Sequence, residues 1–388
     1  MDLLILLLPV AAASGWLAAK RSMRLQQARQ CEADMDSAYY RGLNYLVNEQ
    51  PDKAIDVFVG MLEVNSETVE MHLALGSLFR RRGEVDRAIR IHQNLIARST
   101  LSVDQRSQAL LALGNDYMKA GLLDRAEGLF EELVESKRQL QPALTNLKMI
   151  YQHEKDWRKS LEVSQRLDLL GGKGEGEDQA HFLCELAELA LKSGDEAQAD
   201  SYLKQALEAA PLALRPQLIM AGISEKHGAC REAIARFKQI AEQHPNYIGE
   251  ILQPMADCYR RSQQQSQWIE WLREVYANKN NIQVMLEIAH ELESGGGSDA
   301  AIEFLTAELA NTPDLNGIHQ LISLRMTQQG EQQSQFLRMI DDFVERMAAR
   351  QSAYLCHRCG FTTRTIHWQC PGCRSWGTML PTDKKSPV

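Results

Sequence analysis

Aromatic residues are scarce in this chain. Phenylalanine, tryptophan and tyrosine make up 6% of its 388 residues, whereas hydrophobic residues as a group reach 44%. Alanine, leucine, glutamate and glutamine are abundant instead, and these residues have high intrinsic helix propensity. The composition therefore disfavours a β-sandwich with one large core and predicts helices that pack through many small contacts. A chain of this length has room for two or three domains.

Familiar catalytic motifs are also lacking. The body of the chain contains no glycine-rich phosphate-binding loop, no Ser/His/Asp arrangement and no HExxH motif. Its histidines are isolated from one another, which fits surface or packed positions better than catalytic ones. They are His72, His92, His153, His181, His227, His244, His290 and His319. The sequence therefore predicts that the protein is not an enzyme.

Positive charge is concentrated at the C-terminus. The formal net charge of the whole chain is −8. Residues 350–388 contain six basic residues and one acidic residue, a local balance of +5, so residues 1–349 carry −13. An acidic body disfavours nucleic acid as its ligand, whereas the basic segment leaves that ligand open. The basic segment is equally suited to an anionic membrane surface or an acidic partner.

Cysteine is rare outside one short segment. Four of the eight cysteines have the spacing C-x2-C-x10-C-x2-C. They are Cys356, Cys359, Cys370 and Cys373. Two CxxC pairs at this separation are typical of a tetrahedral thiolate site, which suits one zinc or one iron ion. We therefore predict a small metal domain with these four cysteines as ligands over residues 350–388, with His357 and His367 as less favoured substitute ligands.

The metal is expected to be structural, or at most a one-electron redox centre. A domain this small buries too little apolar surface to fold alone, and structural zinc contributes on the order of 10 kcal/mol of folding energy. Gly360 directly follows the second cysteine, where a left-handed turn is expected, and Pro371-Gly372 is expected to shape the second turn in a similar way. The β-branched and aromatic residues of 361–368 predict a short hairpin.

One long apolar run occurs, near the N-terminus. Residues 3–19, LLILLLPVAAASGWLAA, contain no charge and reach the short end of what spans a bilayer core of ~30 Å. Lys20, Arg21 and Arg24 follow the run, so the positive-inside rule predicts an N-terminus outside and the bulk of the chain in the cytoplasm. A cleaved signal peptide is disfavoured because its basic residues would precede the apolar core. We predict a single-pass anchor over 1–20 and a basic juxtamembrane linker over 21–34.

The middle of the chain, residues 35–349, is repetitive. Residues 73–96, 111–134 and 218–241 share a small residue, a turn glycine and an alanine at matching positions. This is the tetratricopeptide pattern of two amphipathic helices per unit. We predict about eight units and a final capping pair of helices. The small position of the second helix falls at Ala54, Ala88, Ala126, Ser160, Ala199, Ala233, Trp268 and Ala301, and the large Trp268 predicts a degenerate unit over 249–280.

Stacked units of this kind form an α-solenoid superhelix with a concave binding surface lined by the first helix of each pair. Arg80, Asn115 and Met118 occupy positions expected to face this groove. They are our candidates for partner binding, although a solvated surface with no ligand is the simpler interpretation of any single one. The predicted fold class is therefore mostly α, with a transmembrane helix before the array and a small metal domain after it.

The order of these parts resembles the lipopolysaccharide assembly protein B family of Gram-negative bacteria. The resemblance rests on GEVDRAIRIHQ at residues 83–93 and CGFTTRTIHWQCPGCRSW at residues 359–376, and it extends back to LLLPVAAA in the anchor. The family's C-terminal domain is called rubredoxin-like and is assigned iron, which the resemblance places on the four cysteines. The ten residues between the two CxxC pairs are fewer than in ordinary rubredoxins, so iron and zinc both stay open.

The resemblance implies an inner-membrane adaptor with a periplasmic N-terminus. Family members limit lipopolysaccharide synthesis by presenting the LpxC deacetylase to the membrane protease FtsH, and they are thought to gather lipopolysaccharide assembly proteins. The C-terminal domain is then expected to dock on the array, and no nucleic acid is expected as a ligand. Two alternatives are a nucleic-acid-binding zinc ribbon, supported by Arg358, Arg364 and Arg374, and a rubredoxin-type electron carrier on a repeat scaffold. The sequence leaves the oligomeric state open.

Overall fold

A computed structural model describes residues 69–99, 101–172, 174–328 and 331–382, together with separate positions between 40 and 57. These residues are mostly helical, with three short strands near the C-terminus. The predicted anchor, the juxtamembrane linker and most of the first predicted repeat lie outside the described residues. In the part of the chain that is described, no helix combines the length and apolar character needed to cross a bilayer.

The described helices follow one another as antiparallel pairs and fall into two compact units that divide after Leu170. The first unit contains α1 Val69–Arg81, α2 Val85–Ile96, α3 Val103–Ala120, α4 Leu123–Glu135, α5 Leu140–Glu154 and α6 Trp157–Leu169. The second unit contains α7 Glu175–Lys192, α8 Glu196–Ala209, α9 Leu214–Lys226, α10 Cys230–Gln243, α11 Gly249–Arg261, α12 Gln265–Lys279, α13 Ile282–Gly296, α14 Ser298–Asn311, α15 Leu315–Gln328 and α16 Glu331–Ala348. A 3-10 turn, Pro245–Tyr247, precedes α11.

Several helices begin at a residue that caps the free backbone N–H groups. Ser102 accepts a hydrogen bond from the N–H of Gln105, while the Gln105 side chain accepts one from the N–H of Ser102, so α3 begins with a complete capping box. Asp156 and Asp195 cap α6 and α8 through their carboxylates. Loss of one such cap costs about 1 kcal/mol. These local signals place the helix starts where the repeat period requires them.

Small residues allow the two helices of a pair to approach closely. The predicted small positions at Ala88 and Ala126 are 0% exposed. In α1, a Cβ atom added to Gly76 would overlap the ring of His92 on α2, and one added to Gly114 of α3 would overlap the ring of Phe130 on α4. Each glycine is thus the site into which a ring of the partner helix packs.

The bulky Trp268 does not interrupt the array. It is 1% exposed and packs between Tyr259 and Trp271, with ring centroids 5.3 Å and 5.4 Å away. The unit over 249–280 still forms the regular helix pair α11 and α12. Its sequence departs from the repeat pattern at Trp268, but its helices do not. Two helices, α15 and α16, follow in the stretch where the capping pair is predicted.

The C-terminal strands form a small antiparallel sheet with the order β2-β1-β3. The strands are β1 Tyr354–Cys356, β2 Thr362–Thr363 and β3 Met379–Pro381. The prediction of a hairpin within residues 361–368 is wrong, because β2 pairs with β1 and not with the residues that follow β2. The N–H of Cys356 donates to the carbonyl of Phe361 at 2.8 Å, so the first CxxC turn itself closes the hairpin.

Candidate metal centre and its contact with the repeat array

The four predicted ligands converge in the C-terminal domain, which we call the ribbon (residues 354–381). The Sγ atoms of Cys356, Cys359, Cys370 and Cys373 all lie within 4.8 Å of one another. The Cys356–Cys373 and Cys359–Cys370 pairs are each 3.7 Å apart. A tetrahedral site with metal–sulfur bonds of ~2.3 Å requires sulfur–sulfur edges of about 3.8 Å. The sulfurs are therefore spaced for one tetrahedral metal ion.

Each CxxC pair is followed by a residue in the left-handed backbone conformation. Gly360 after Cys359 has φ 77°, as predicted. At the second turn the left-handed residue is Arg374, with φ 58°, and not Gly372. The role of Gly372 is instead one of space, because a Cβ atom there would lie 3.3 Å from the Cys359 sulfur.

Hydrogen bonds and burial shift the pKa values of the cysteine thiols in opposite directions. A hydrogen bond with the Thr378 hydroxyl is the main cause that lowers the pKa of Cys356 to about 6, and one with Ser375 lowers the pKa of Cys373. The N–H of Phe361 also lowers the pKa of Cys359, yet burial and the neighbouring thiols raise it to about 12. A bound metal cation would favour the thiolate form of all four cysteines.

The donor set fits one structural zinc or iron ion. Four protein thiolates complete a tetrahedron, so no position is left for a substrate or a reactive water. The substitute ligands that we considered lie elsewhere: His357 Nδ1 donates to the carbonyl of Thr378 at 3.0 Å, and His367 Nε2 lies 3.4 Å from the Thr365 hydroxyl. The ion would join the two CxxC turns and thereby stabilise the fold of the ribbon.

The ribbon is fastened to the start of α11. The hydroxyl of Tyr247 donates to the carbonyl of Met379 at 2.8 Å, and its ring packs against the small core of the ribbon. The hydroxyl of Tyr354 donates to the carboxylate of Glu250. Burial and Glu250 raise the pKa of Tyr354, so its phenol stays protonated and donating. The expected docking of the metal domain on the array is therefore present within the second unit.

A buried arginine forms a second attachment. Arg215 on α9 has a side chain that is 4% exposed, and its Nη2 donates to Glu185 at 2.7 Å and Glu188 at 2.8 Å, both on α7. The guanidinium carbon lies 5.8 Å from the ring centroid of Trp368 and 6.0 Å from that of Trp376. Burial opposes the charged form, but Glu188 and Glu185 raise the pKa of Arg215. Carboxylates on one side and ribbon rings on the other thus stabilise this buried cation.

His181 of α7 completes this contact. Its ring stacks on Trp376 with centroids 5.0 Å apart, and Phe182 meets the same tryptophan edge-on at 5.9 Å. A Cβ atom on Gly377 would lie 3.3 Å from His181 Nε2, so a glycine with φ 61° allows the close approach. Burial and the charge of Arg215 lower the pKa of His181 to about 3, so the ring is neutral near pH 7.

The sequence analysis did not identify these array residues. Arg215, Glu185 and His181 are separated from the ribbon by well over a hundred residues, and no local motif joins them. A signal was nevertheless present in the ribbon. It contains two of the six tryptophans of the chain, Trp368 and Trp376, and a domain this small has little core in which to bury them.

The three groove candidates have partners within the first unit. Arg80 Nη1 donates to Asp116 at 2.7 Å and to the carbonyl of Ala112 at 3.3 Å. Asp116 is fully buried and also shares a hydrogen bond with His92. The Arg80 side chain therefore helps to join α1 to α3.

The other two candidates lie on α3. Asn115 Oδ1 accepts a hydrogen bond from Asn146 on α5 at 3.0 Å, and Met118 packs against the hydrophobic core of the first unit. The contact of Arg80, Asn115 and Met118 with a partner stays a prediction. Lys20, Arg21 and Arg24, predicted to flank the anchor, lie outside the described residues.

The fold and the site define a class: a tetratricopeptide-repeat protein with a four-cysteine metal-binding ribbon. Residues 72–104 and residues 180–211 match the family described as Tetratricopeptide repeat. Residues 354–381 match the family described as Rubredoxin metal binding domain. The matched families thus cover parts of the helical array and the whole ribbon.

Comparison with individual proteins is more specific. The chain is 37% identical over 383 residues to Lipopolysaccharide assembly protein B of Escherichia coli (strain K12), covering 98% of each chain. It is 32% identical over 391 residues to the protein of the same name in Haemophilus influenzae, again covering 98% of each. Among solved structures, MamA overlaps 43% of this chain with 19% identity and a TM-score of 0.34. The chain belongs to the lipopolysaccharide assembly protein B family.

Proposed function

We propose that this chain is a non-catalytic adaptor of lipopolysaccharide assembly, which presents the LpxC deacetylase to the membrane protease FtsH and gathers other assembly proteins at the inner membrane. The observation that carries the proposal is similarity over 98% of the chain to proteins named Lipopolysaccharide assembly protein B. Repeat arrays of this class offer extended surfaces to other proteins. A metal site closed by four thiolates, as here, is consistent with a structural role.

The proposed location depends on the N-terminal segment. Residues 1–20 span the inner membrane once, with Lys20, Arg21 and Arg24 on the cytoplasmic side and the N-terminus in the periplasm. The array and the ribbon then face the cytoplasm. Confinement of adaptor, client and protease to one surface raises their effective concentration without any new contact.

The proposed role of the ribbon is structural. One zinc or iron ion folds it, and the folded ribbon covers parts of α7, α9 and α11. Nucleic-acid binding is the weaker candidate, because Arg358 and Arg364 already donate to the Ser375 hydroxyl and the Ala349 carbonyl. Electron transfer by an iron form would require a reversible change in visible absorption on reduction.

The test compares the full chain with a chain that lacks residues 1–19. We expect the truncated protein to fold but to leave the cellular level of the deacetylase high, because it no longer meets the protease at the membrane. The matched control restores a single membrane span with an unrelated apolar helix, and it should restore regulation. Normal deacetylase levels with the soluble truncation would contradict the proposal.

A further inference from the structure

Two hydroxyl groups lie against the sulfur atoms of the metal centre. Thr378 is 8% exposed, and its Oγ1 lies 3.3 Å from the Sγ of Cys356. Ser375 Oγ lies 3.4 Å from the Sγ of Cys373. Neither residue belongs to the CxxC turns, so both reach the site from the chain that follows the last cysteine.

The direction of these hydrogen bonds depends on the state of the sulfur. A protonated thiol donates to the hydroxyl oxygen, whereas a thiolate has no hydrogen and the hydroxyl must then donate to it. Only the thiolate binds a metal ion. A hydroxyl in this position therefore donates its hydrogen bond to the sulfur when the sulfur is bound to a metal ion.

Arg358 fixes the direction of the second hydroxyl. Its Nη1 donates to Ser375 Oγ at 2.5 Å. With that N–H directed at the oxygen, the Ser375 hydrogen must point to another acceptor, and the sulfur of Cys373 lies within reach. The hydrogen bond from Arg358 thus directs the Ser375 hydroxyl toward the sulfur of Cys373. Thr378 has a competing acceptor, the carbonyl of Ser375 at 3.4 Å, which a charged thiolate outcompetes.

We propose that the hydroxyls of Thr378 and Ser375 donate hydrogen bonds to the metal-bound sulfurs of Cys356 and Cys373 and so orient these two ligands, and that Arg358 orients Ser375 for this task. They are positioning residues for the metal, since they act through the cysteines. Residues that hydrogen-bond to metal ligands typically change metal affinity by about 10–100-fold when they are removed. The proposal concerns the metal centre alone and does not depend on the adaptor function.

The first experiment measures the Zn²⁺ affinity of the purified full chain by competition with a chelator. Thr378→Val deletes the hydroxyl at nearly constant volume, and we expect zinc binding to weaken by about 10–100-fold. Thr378→Ser keeps the hydroxyl and should stay near the affinity of the unsubstituted chain. Thr362→Val makes the same chemical change at an exposed residue of β2 and should have no effect.

The absorption spectrum of the Co²⁺-loaded chain provides a second measurement, which a change in packing alone does not alter. The sulfur-to-cobalt absorption should shift in energy in Thr378→Val, because the bound sulfur of Cys356 loses a hydrogen bond, and it should keep its energy in Thr378→Ser. Two results would overturn the assignment of Thr378. One is an unchanged affinity and cobalt absorption for Thr378→Val, and the other is a Thr378→Ser variant as weak as Thr378→Val.

The assignment of Ser375 and Arg358 is tested by a double-mutant cycle on zinc affinity. Ser375→Ala and Arg358→Met should each weaken binding, and the double variant should be little weaker than Ser375→Ala alone, since both changes break one chain of hydrogen bonds. Additive losses would show that Arg358 acts independently of Ser375 and would overturn its proposed role.

Discussion

At the scale of single residues, His181 links solution pH to the contact between ribbon and array. Its folded pKa of about 3 lies below the ordinary value of 6.5, because the ring is buried and Arg215 is positive. Between these two values the unfolded chain binds a proton at His181 that the folded chain does not. The contribution of His181 to the free energy of unfolding is therefore fully present above pH 6.5. It is lost progressively as the pH falls from 6.5 toward 3.

The corresponding prediction uses His181→Phe, which keeps a stacking ring and removes the titration. Lowering the pH from about 7.5 to about 5.5 should destabilise the unsubstituted chain by about 1 kcal/mol more than the variant, since one pKa unit corresponds to about 1.4 kcal/mol. Urea unfolding followed by tryptophan fluorescence reports it, because Trp368 and Trp376 lie at this contact. Protonation of the cysteines affects both proteins alike. Equal pH dependence in the two would show that His181 is not the sensor.

Contacts between residues that are close in the sequence could be predicted, whereas contacts between distant residues could not. The convergence of the four cysteines could be predicted because a CxxC turn presents both of its sulfurs within four residues. The contacts of Arg215 could not be predicted, because they depend on the path of the intervening helices. They join it to Glu185, Glu188 and the two ribbon tryptophans. The left-handed Arg374 also escaped prediction, since that conformation is expected of glycine.

At the scale of elements, the distance between paired helices is set by single side chains. Gly76 leaves room on α1 for the ring of His92, which the carboxylate of Asp116 on α3 also contacts. A polar ring thus occupies a core position and is tied to the next helix pair. The period of the array and most helices could be predicted from this pattern of small residues. The short strands of the ribbon could not, because β1 pairs with β3, which lies beyond the second CxxC pair.

A matched pair of glycine substitutions tests this account of helix packing. Gly76→Ala should destabilise the first unit by about 1–3 kcal/mol, because the new methyl group overlaps His92. Gly128→Ala is the control: Gly128 lies within α4 with nothing within 4 Å of an added Cβ atom, so the change should stabilise by up to about 1 kcal/mol. Thermal unfolding followed by far-UV circular dichroism measures both. A shift of the same sign in the two variants would contradict the packing argument.

At the scale of the whole molecule, the ribbon is part of the second unit and not a free appendage. It contacts α7 through His181, α9 through Arg215 and the start of α11 through Tyr247 and Glu250. A metal ion that folds the ribbon would therefore also stabilise the surface that these helices form. In our proposal this unit, the preceding repeats and the membrane anchor together hold a client beside its protease.

The most direct test reconstitutes the proposed reaction in lipid vesicles. FtsH and ATP are supplied with purified LpxC, with or without the full chain, and the half-life of LpxC is measured. Our account predicts that LpxC is degraded several times faster when the metal-loaded chain is in the same membrane, and that the chain alone leaves LpxC intact. An LpxC half-life unchanged by the full chain would contradict the central claim.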